Sequence, residues 1–155
     1  MPQFHHFQDK TMKKILPAIL SALVLCSASA YARDDIGNYS IKDALSQEAA
    51  KAKLGDDIRF FFGDQKHPKV VKAMGEFKTN KKTNSFNKTD EEACQWVFLS
   101  AMLALKDRAV KEGGNAVINI KSNYKNNLTS NKETFQCGAG AVIAGVALTG
   151  EVVKL

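Results

Sequence analysis

The segment from Thr89 to Gly114 constrains the fold more than any other part of this chain. Thr89 and Glu92 form a capping box, and Gly113 supplies the residue type that ends a helix. Between these signals the sequence is apolar almost all round as far as Leu105 and amphipathic beyond it. A helix with this profile is covered on most sides in its first half, so the rest of the chain must provide a broad apolar surface.

The remaining patterns predict one more helix and a small sheet. A good N-cap and apolar residues at helical spacing predict a helix from Ser40 to Gly55. Apolar runs predict strands at residues 58–63, 70–79 and 115–124 and along the last stretch from Thr134. The expected fold class is α+β: a small, mainly antiparallel sheet of about four strands packed against one long helix, with an additional N-terminal helix.

The last stretch, "TFQCGAGAVIAGVALTGEVVKL", is rich in glycine and small apolar residues. It has no Gly-Lys-Ser/Thr sequence, so it cannot cradle phosphates as a P-loop does. The apolar part from Gly138 to Thr149 has 12 residues, well short of the roughly 20 that a membrane-spanning helix needs. We therefore expect one strand that is apolar on both faces, with glycines that let the long helix or a neighbouring strand come close.

The beginning of the chain predicts export from a bacterial cell. Residues 12–32 contain two lysines, an apolar run and a final Ala-Tyr-Ala, which is the layout of a secretory signal peptide. We expect residues 1–11 to be an upstream extension and cleavage to fall between Ala32 and Arg33. A single α+β domain at residues 33–155, without a transmembrane segment, would then be periplasmic or secreted.

Cysteine usage agrees with export. Cys26 lies in the signal region, where lipidation is the alternative, although Leu25 occupies the place that lipidation reserves for a small residue. Cys94 and Cys137 are the other two cysteines, and a pair in an exported chain predicts a disulfide. A redox-active pair is the alternative, but such pairs usually form a Cys-x-x-Cys motif, with two residues between the cysteines, at the start of a helix.

The charge of the chain is modest, and one segment concentrates it. The 22 basic and 16 acidic residues give a net charge of +6, and without residues 1–32 it is +4, which is a poor argument for binding nucleic acid. Around Phe86, four lysines predict a polar basic loop that is either simply solvated or binds anions. These lysines are Lys78, Lys81, Lys82 and Lys88. The expected partner is an envelope protein or an anionic surface.

Catalytic and metal-binding patterns are sparse. His67 is the only histidine after residue 32, and with Asp56, Asp57 and Asp64 it is the candidate for a metal site, although no ligand spacing supports one. Neither a Ser/His/Asp set nor a pair of catalytic carboxylates can be assembled from the sequence. We therefore expect no enzymatic activity and no cofactor.

Two stretches resemble a known group of proteins. The sequences "EACQWVFLSAMLALKDRAVKEGGNAVINIKSNY" and "ETFQCGAGAVIAGVAL" resemble small exported bacterial proteins that are commonly labelled as an excinuclease ATPase subunit. The ATPase label itself conflicts with the missing P-loop. More distantly, the pattern from Ala109 to Ile118 is similar to heavy-metal-binding YbjQ-type domains and to the outer-membrane lipoprotein sensor of the Rcs envelope-stress system.

Together these observations predict an exported bacterial envelope protein that acts by binding and carries a structural disulfide. A metal- or small-ligand-binding protein related to the YbjQ-type domains is the alternative that the resemblance implies.

Overall fold

The computed structural model describes residues 33–155, in which strands hold 43% and helices 29% of the residues. The elements in chain order are β1 (Asp35–Ser40), α1 (Ile41–Ser46), α2 (Glu48–Leu54), β2 (Arg59–Phe62), β3 (Lys72–Asn84), α3 (Asp90–Glu112), β4 (Ala116–Tyr124), β5 (Asn127–Thr129), β6 (Thr134–Ala139) and β7 (Ile143–Lys154). The predicted upstream extension, the signal peptide and Cys26 lie outside the described residues.

One mixed sheet of seven strands is organised around β7. One edge of β7 pairs with β3, and the other pairs with β6 near Gly145 and with β4 from Leu148 to Val153. β1 pairs with β6, β5 pairs with β4, and β2 runs parallel to β4. The predicted sheet of about four strands against one long helix is therefore wrong. The additional strands β1 and β5 are short and largely polar, so they carry no apolar alternation.

The glycine-rich end of the chain is a β-hairpin and not the single strand that its continuous apolar pattern predicts. β6 ends at Ala139, and β7 begins at Ile143 after a turn in which the Gly140 N–H donates to Ile143 O at 2.9 Å. A Cβ atom at Gly140 would lie 2.6 Å from the carbonyl oxygen of Arg33. Only glycine allows the two segments to approach so closely.

α3 has the predicted bounds because both of its ends are capped. Thr89 Oγ1 accepts a hydrogen bond from Glu92 N at 3.1 Å. At the other end, Gly113 has a left-handed φ of 75°, and its N–H donates to Val110 O at 3.1 Å. The buried side chains of α3 join those of β6 and β7 in the main core.

The predicted disulfide between Cys94 and Cys137 is present and connects α3 to β6. Their Cα atoms are 5.9 Å apart, and both cysteines are fully buried. One helical turn further along α3, Phe98 stacks on Phe135 of β6 with 4.0 Å between the ring centroids. A covalent bond and an aromatic contact thus hold the same two elements together.

The predicted N-terminal helix is divided into α1 and α2. Ser40 caps α1 as predicted, since its Oγ accepts from Asp43 N at 3.1 Å. Gln47 then takes an extended ψ of 138°, which interrupts the helical backbone. The apolar positions continue on both sides of this break, and for that reason the pattern predicts one helix.

The sheet has one face covered by helices and one open face. Val146 and Leu148 of β7 point to the helices and belong to the main core. Gly145, Ala147 and Thr149 alternate with them and lie on the open face, which no described helix covers, although Ala147 and Thr149 are themselves buried. A smaller core cluster at the far end of the open face contains no residue of a described helix.

Candidate functional site

Small residues form the floor of a groove on the open face, where β6 and β7 meet. Gly138 and Gly145 are cross-strand partners there, and Ala147 follows on the same face of β7. The Tyr124 side chain uses the space that the glycines leave, because a Cβ atom at Gly138 would lie 1.9 Å from Tyr124 Oη. Gly138 therefore admits an aromatic ring, whereas the sequence pattern predicted the approach of a helix or strand.

A tight turn between β4 and β5 holds Tyr124 and Lys125 at the rim of the groove. Lys125 and Asn126 have φ values of 51° and 64°. Positive values at both central positions define a type I′ hairpin turn, a conformation that asparagine adopts more readily than lysine. The fold therefore accepts a strained backbone at Lys125, and this backbone carries the lysine side chain to the groove.

Asp34 organises the rim. Tyr124 Oη donates to Asp34 Oδ1 at 2.8 Å, and Lys125 Nζ lies 2.5 Å from Asp34 Oδ2. Burial and then the hydrogen bond to Asp34 raise the pKa of Tyr124 to about 12. Hydrogen bonds from Lys125 and Tyr124 in turn lower the pKa of Asp34. At neutral pH the phenol is thus a neutral donor, and the carboxylate is charged and already engaged.

Lys82 of β3 forms the opposite wall. It is the cross-strand partner of Gly145, so its side chain stands over the floor of the groove, which has a volume of about 400 Å³. Arg33 and Lys125, the other cations of the groove, are paired with carboxylates. Lys82 forms no ion pair with any residue in the described range. Its charge helps to lower the pKa of Asp34, but the oxygens of that carboxylate are bonded to Tyr124 and Lys125, so the Lys82 ammonium group can pair with a ligand.

The four lysines that the sequence groups as one basic loop are divided between a strand and a turn. Lys78, Lys81 and Lys82 lie on β3, and only Lys88 lies in the turn before α3. Because side chains alternate along a strand, Lys78 and Lys82 share the open face, while Lys81 pairs with Val146 and points to the helix side. The loop prediction is wrong, because residues 80–84 pair with β7 as part of a strand. These residues include no apolar side chain from which a strand could be predicted. Anion binding by these lysines stays a prediction.

An apolar tip, defined by Phe86, Val142 and Ile143, adjoins the groove. The three residues are 60%, 59% and 55% exposed; Phe86 and Val142 lie in two different turns, and Ile143 is the first residue of β7. Ser85 joins these turns, since its N–H donates to Val142 O at 2.8 Å. Lys82 and Ile143 line both the groove and a cavity of about 480 Å³ at the tip. The groove and the tip are therefore continuous.

The structure gives His67 no companions for a metal site. Its Nδ1 lies 2.8 Å from Pro68 O, and its ring packs edge-on against Phe61 with 5.7 Å between centroids. Asp57, one of the accompanying candidates, instead pairs with Lys106 at 2.7 Å. Across residues 33–155, no group of three or more His, Cys, Asp and Glu side chains is arranged to hold a metal ion.

Sequence reasoning missed most of the groove. Asp34, Tyr124 and Lys125 were not predicted as site residues, and Arg33 entered only as the residue after the cleavage position. A polar run rich in asparagine after a strand does signal the turn at residues 125–126. No local signal shows that Asp34 lies beside it, because the pairing of β1 with β6 joins residues about a hundred positions apart.

Comparison with known proteins does not assign this chain to a class of proteins. No family model, curated protein or solved structure matches the chain. The resemblance to exported bacterial proteins therefore stays a prediction. In the part of the chain that the structure describes, no helix has both the length and the apolar character needed to cross a membrane.

Proposed function

We propose that this chain is an exported bacterial envelope protein without enzymatic activity, and that it binds an anionic partner through the groove beside Lys82. One observation carries the proposal: Lys82 stands over a floor of small residues and forms no ion pair within residues 33–155. An anionic ligand would supply the missing counter-charge, so electrostatics favours it over a neutral ligand.

The other groups around the groove suit a ligand with several acceptor oxygens. Lys125 and Asn80 line the groove with Lys82, and each can donate hydrogen bonds. Lys78 extends the positive charge along the open face of β3. Asp34 weakens this attraction little, because Lys125 and Tyr124 already occupy its oxygens. Phosphate and carboxylate groups are the matching chemistry.

The disulfide supports a location outside the cytoplasm. Disulfides persist in oxidising compartments such as the bacterial periplasm and are rare in the cytosol. Because Cys94 and Cys137 are fully buried within the core, the bond supports a structural role more than thiol exchange. We therefore propose a periplasmic or secreted protein, as the signal-peptide pattern of residues 12–32 predicts.

Charge reversal at two adjacent lysines tests the groove. Lys82→Glu should release the protein from phosphocellulose at a clearly lower salt concentration than wild type, because it puts a negative charge above the floor. Lys81→Glu is the matched control, since it makes the same change in net charge on the helix side of the same strand. We expect its elution to shift less.

Equal elution shifts for Lys81→Glu and Lys82→Glu would contradict the proposal, because they would show that only net charge matters. Wild-type elution by Lys82→Glu would contradict it as well. Circular dichroism of both variants separates these outcomes from a loss of folding.

A further inference from the structure

The apolar tip exposes a contiguous group of large apolar side chains to solvent. Phe86, Val142 and Ile143 are three of the eight large hydrophobic residues that are exposed in residues 33–155, and they lie together at one end of the sheet. Single exposed apolar residues are normal on a protein surface, but a contiguous group commonly marks an interaction site.

Hydrogen bonds fix the two turns that present these side chains. Ser85 is buried, and its Oγ donates to Gly140 O at 2.8 Å, next to the bond from its N–H to Val142 O. In the first turn, Phe86 N donates to Asn84 Oδ1 at 2.8 Å. The aromatic ring is therefore held outward by a defined backbone.

Two basic residues lie near the apolar tip. Lys82 lines the cavity at the tip, and Lys88 lies in the same turn as Phe86, with its N–H bonded to Ser85 O at 3.1 Å. Neither lysine forms an ion pair with a residue in the described range. Asp90, an acidic residue just beyond this turn, is occupied by Arg33.

We propose that the anionic partner is a phospholipid bilayer, and that the apolar tip inserts into it while Lys82 and Lys88 contact lipid phosphates. This inference rests on the proposed function of the groove. A bilayer presents an apolar layer beneath an anionic layer, and the protein presents an apolar end with cations behind it. A polyanion such as nucleic acid matches the lysines but leaves Phe86, Val142 and Ile143 in water.

A tryptophan placed at the tip tests insertion directly. The chain has one tryptophan, Trp96 on α3, so Phe86→Trp in a Trp96→Phe background moves the only indole to the tip. With vesicles of phosphatidylglycerol and phosphatidylcholine, its emission should shift to the blue, and lipids brominated on the acyl chain should quench it. Vesicles of phosphatidylcholine alone should give a much smaller effect.

Paired apolar variants measure the contribution of the tip. Phe86→Ser with Ile143→Ser should weaken binding to phosphatidylglycerol vesicles by about tenfold or more, because two large side chains no longer enter the apolar layer. Val110→Ser with Leu128→Ser removes two residues that are 55% and 58% exposed elsewhere, and it should bind as wild type does. Circular dichroism establishes that both proteins fold.

The outcomes separate the two proposals. If the double tip variant binds vesicles as well as wild type, or if bromolipids leave the indole at residue 86 unquenched, insertion is wrong. If Lys82→Glu still lowers retention on phosphocellulose in that case, the anion-binding proposal holds, and the partner is a soluble anion or a protein. If Lys82→Glu changes neither phosphocellulose retention nor vesicle binding, the proposed function fails first.

Discussion

Tyr124 connects the floor of the groove to its charged rim. Its ring takes the space that Gly138 leaves free, and its hydroxyl donates to Asp34 at 2.8 Å. The same contact keeps Asp34 turned toward Lys125. One side chain thus explains the glycine at residue 138, whereas a Cβ atom at Gly145 would lie 3.5 Å from Tyr124 Cε2, an ordinary van der Waals distance.

Tyr124 should make folding stability sensitive to alkaline pH. Its pKa is raised from 10.0 to about 12 in the folded protein, so the unfolded chain loses this proton first. The contribution to stability is therefore complete below about pH 10 and is lost as the pH rises through about 12. We expect the Tm of wild type to fall more steeply over this interval than the Tm of Tyr124→Phe.

A second tyrosine, Tyr39, adds a background to this pH dependence. Burial also raises the pKa of Tyr39, which is present in both proteins, so only the difference between their slopes reports on Tyr124. Thermal unfolding monitored by circular dichroism between pH 9 and pH 12 measures both slopes. Identical slopes for wild type and Tyr124→Phe would show that the phenol is not protected from ionisation.

Among the elements, α3 and β6 depend most on a covalent connection. The disulfide closes a loop with a sequence separation of 43 residues. Loop closure of this size restricts the unfolded chain, and the chain-entropy model gives about 4 kcal/mol of stabilisation. We expect the double variant Cys94→Ala, Cys137→Ala to lose roughly this amount in urea denaturation, since alanine leaves no buried polar atom.

Reduction of the native protein completes this test. Because both cysteines are fully buried, dithiothreitol should cleave the bond only after denaturant opens the core. Rapid reduction without denaturant would instead favour the redox-active alternative. Mass spectrometry after thiol alkylation distinguishes the two results.

Element by element, the sequence predicts best where a local signal and burial agree. The bounds of α3 follow from Thr89 and Gly113, and the partner of Cys94 follows from the predicted export and from there being only two cysteines after residue 32. The start of α1 follows from Ser40. In each case a residue type has a specific local role that long-range contacts do not override.

The missed elements are those that long-range pairing creates. The last part of β3, with Lys81 and Lys82, reads as a loop, yet β7 supplies hydrogen bonds along its entire length. The hairpin turn around Gly140 lies inside a continuous apolar run, so periodicity does not reveal it. The groove depends on both of these features, and for this reason the sequence shows its lysines but not its shape.

At the scale of the whole molecule, β7 contributes one face to the main core and the other to the floor of the groove. Its helix-side residues, such as Val146 and Leu148, lie in the main core, while Gly145 and Ala147 floor the groove. The main core draws on α3, β6 and the disulfide. The open face can therefore keep small residues and unpaired lysines without weakening the packing that holds the fold together.

This arrangement predicts a gradient of hydrogen-exchange protection across the sheet. From Ala144 to Val153, β7 pairs with β3 along one edge, and along the other edge it pairs with β6 at Ala144 and Gly145 and with β4 from Leu148 onward. Most of its amides therefore exchange only when the sheet opens broadly. β5 has three residues and pairs only with β4. We expect the slowest exchange in β7, close to the rate set by global unfolding, and exchange of β5 by local opening. Native-state hydrogen exchange followed by NMR at low urea concentrations measures both rates. If the β7 amides exchange as fast as those of β5, β7 is not the centre of the cooperative unit.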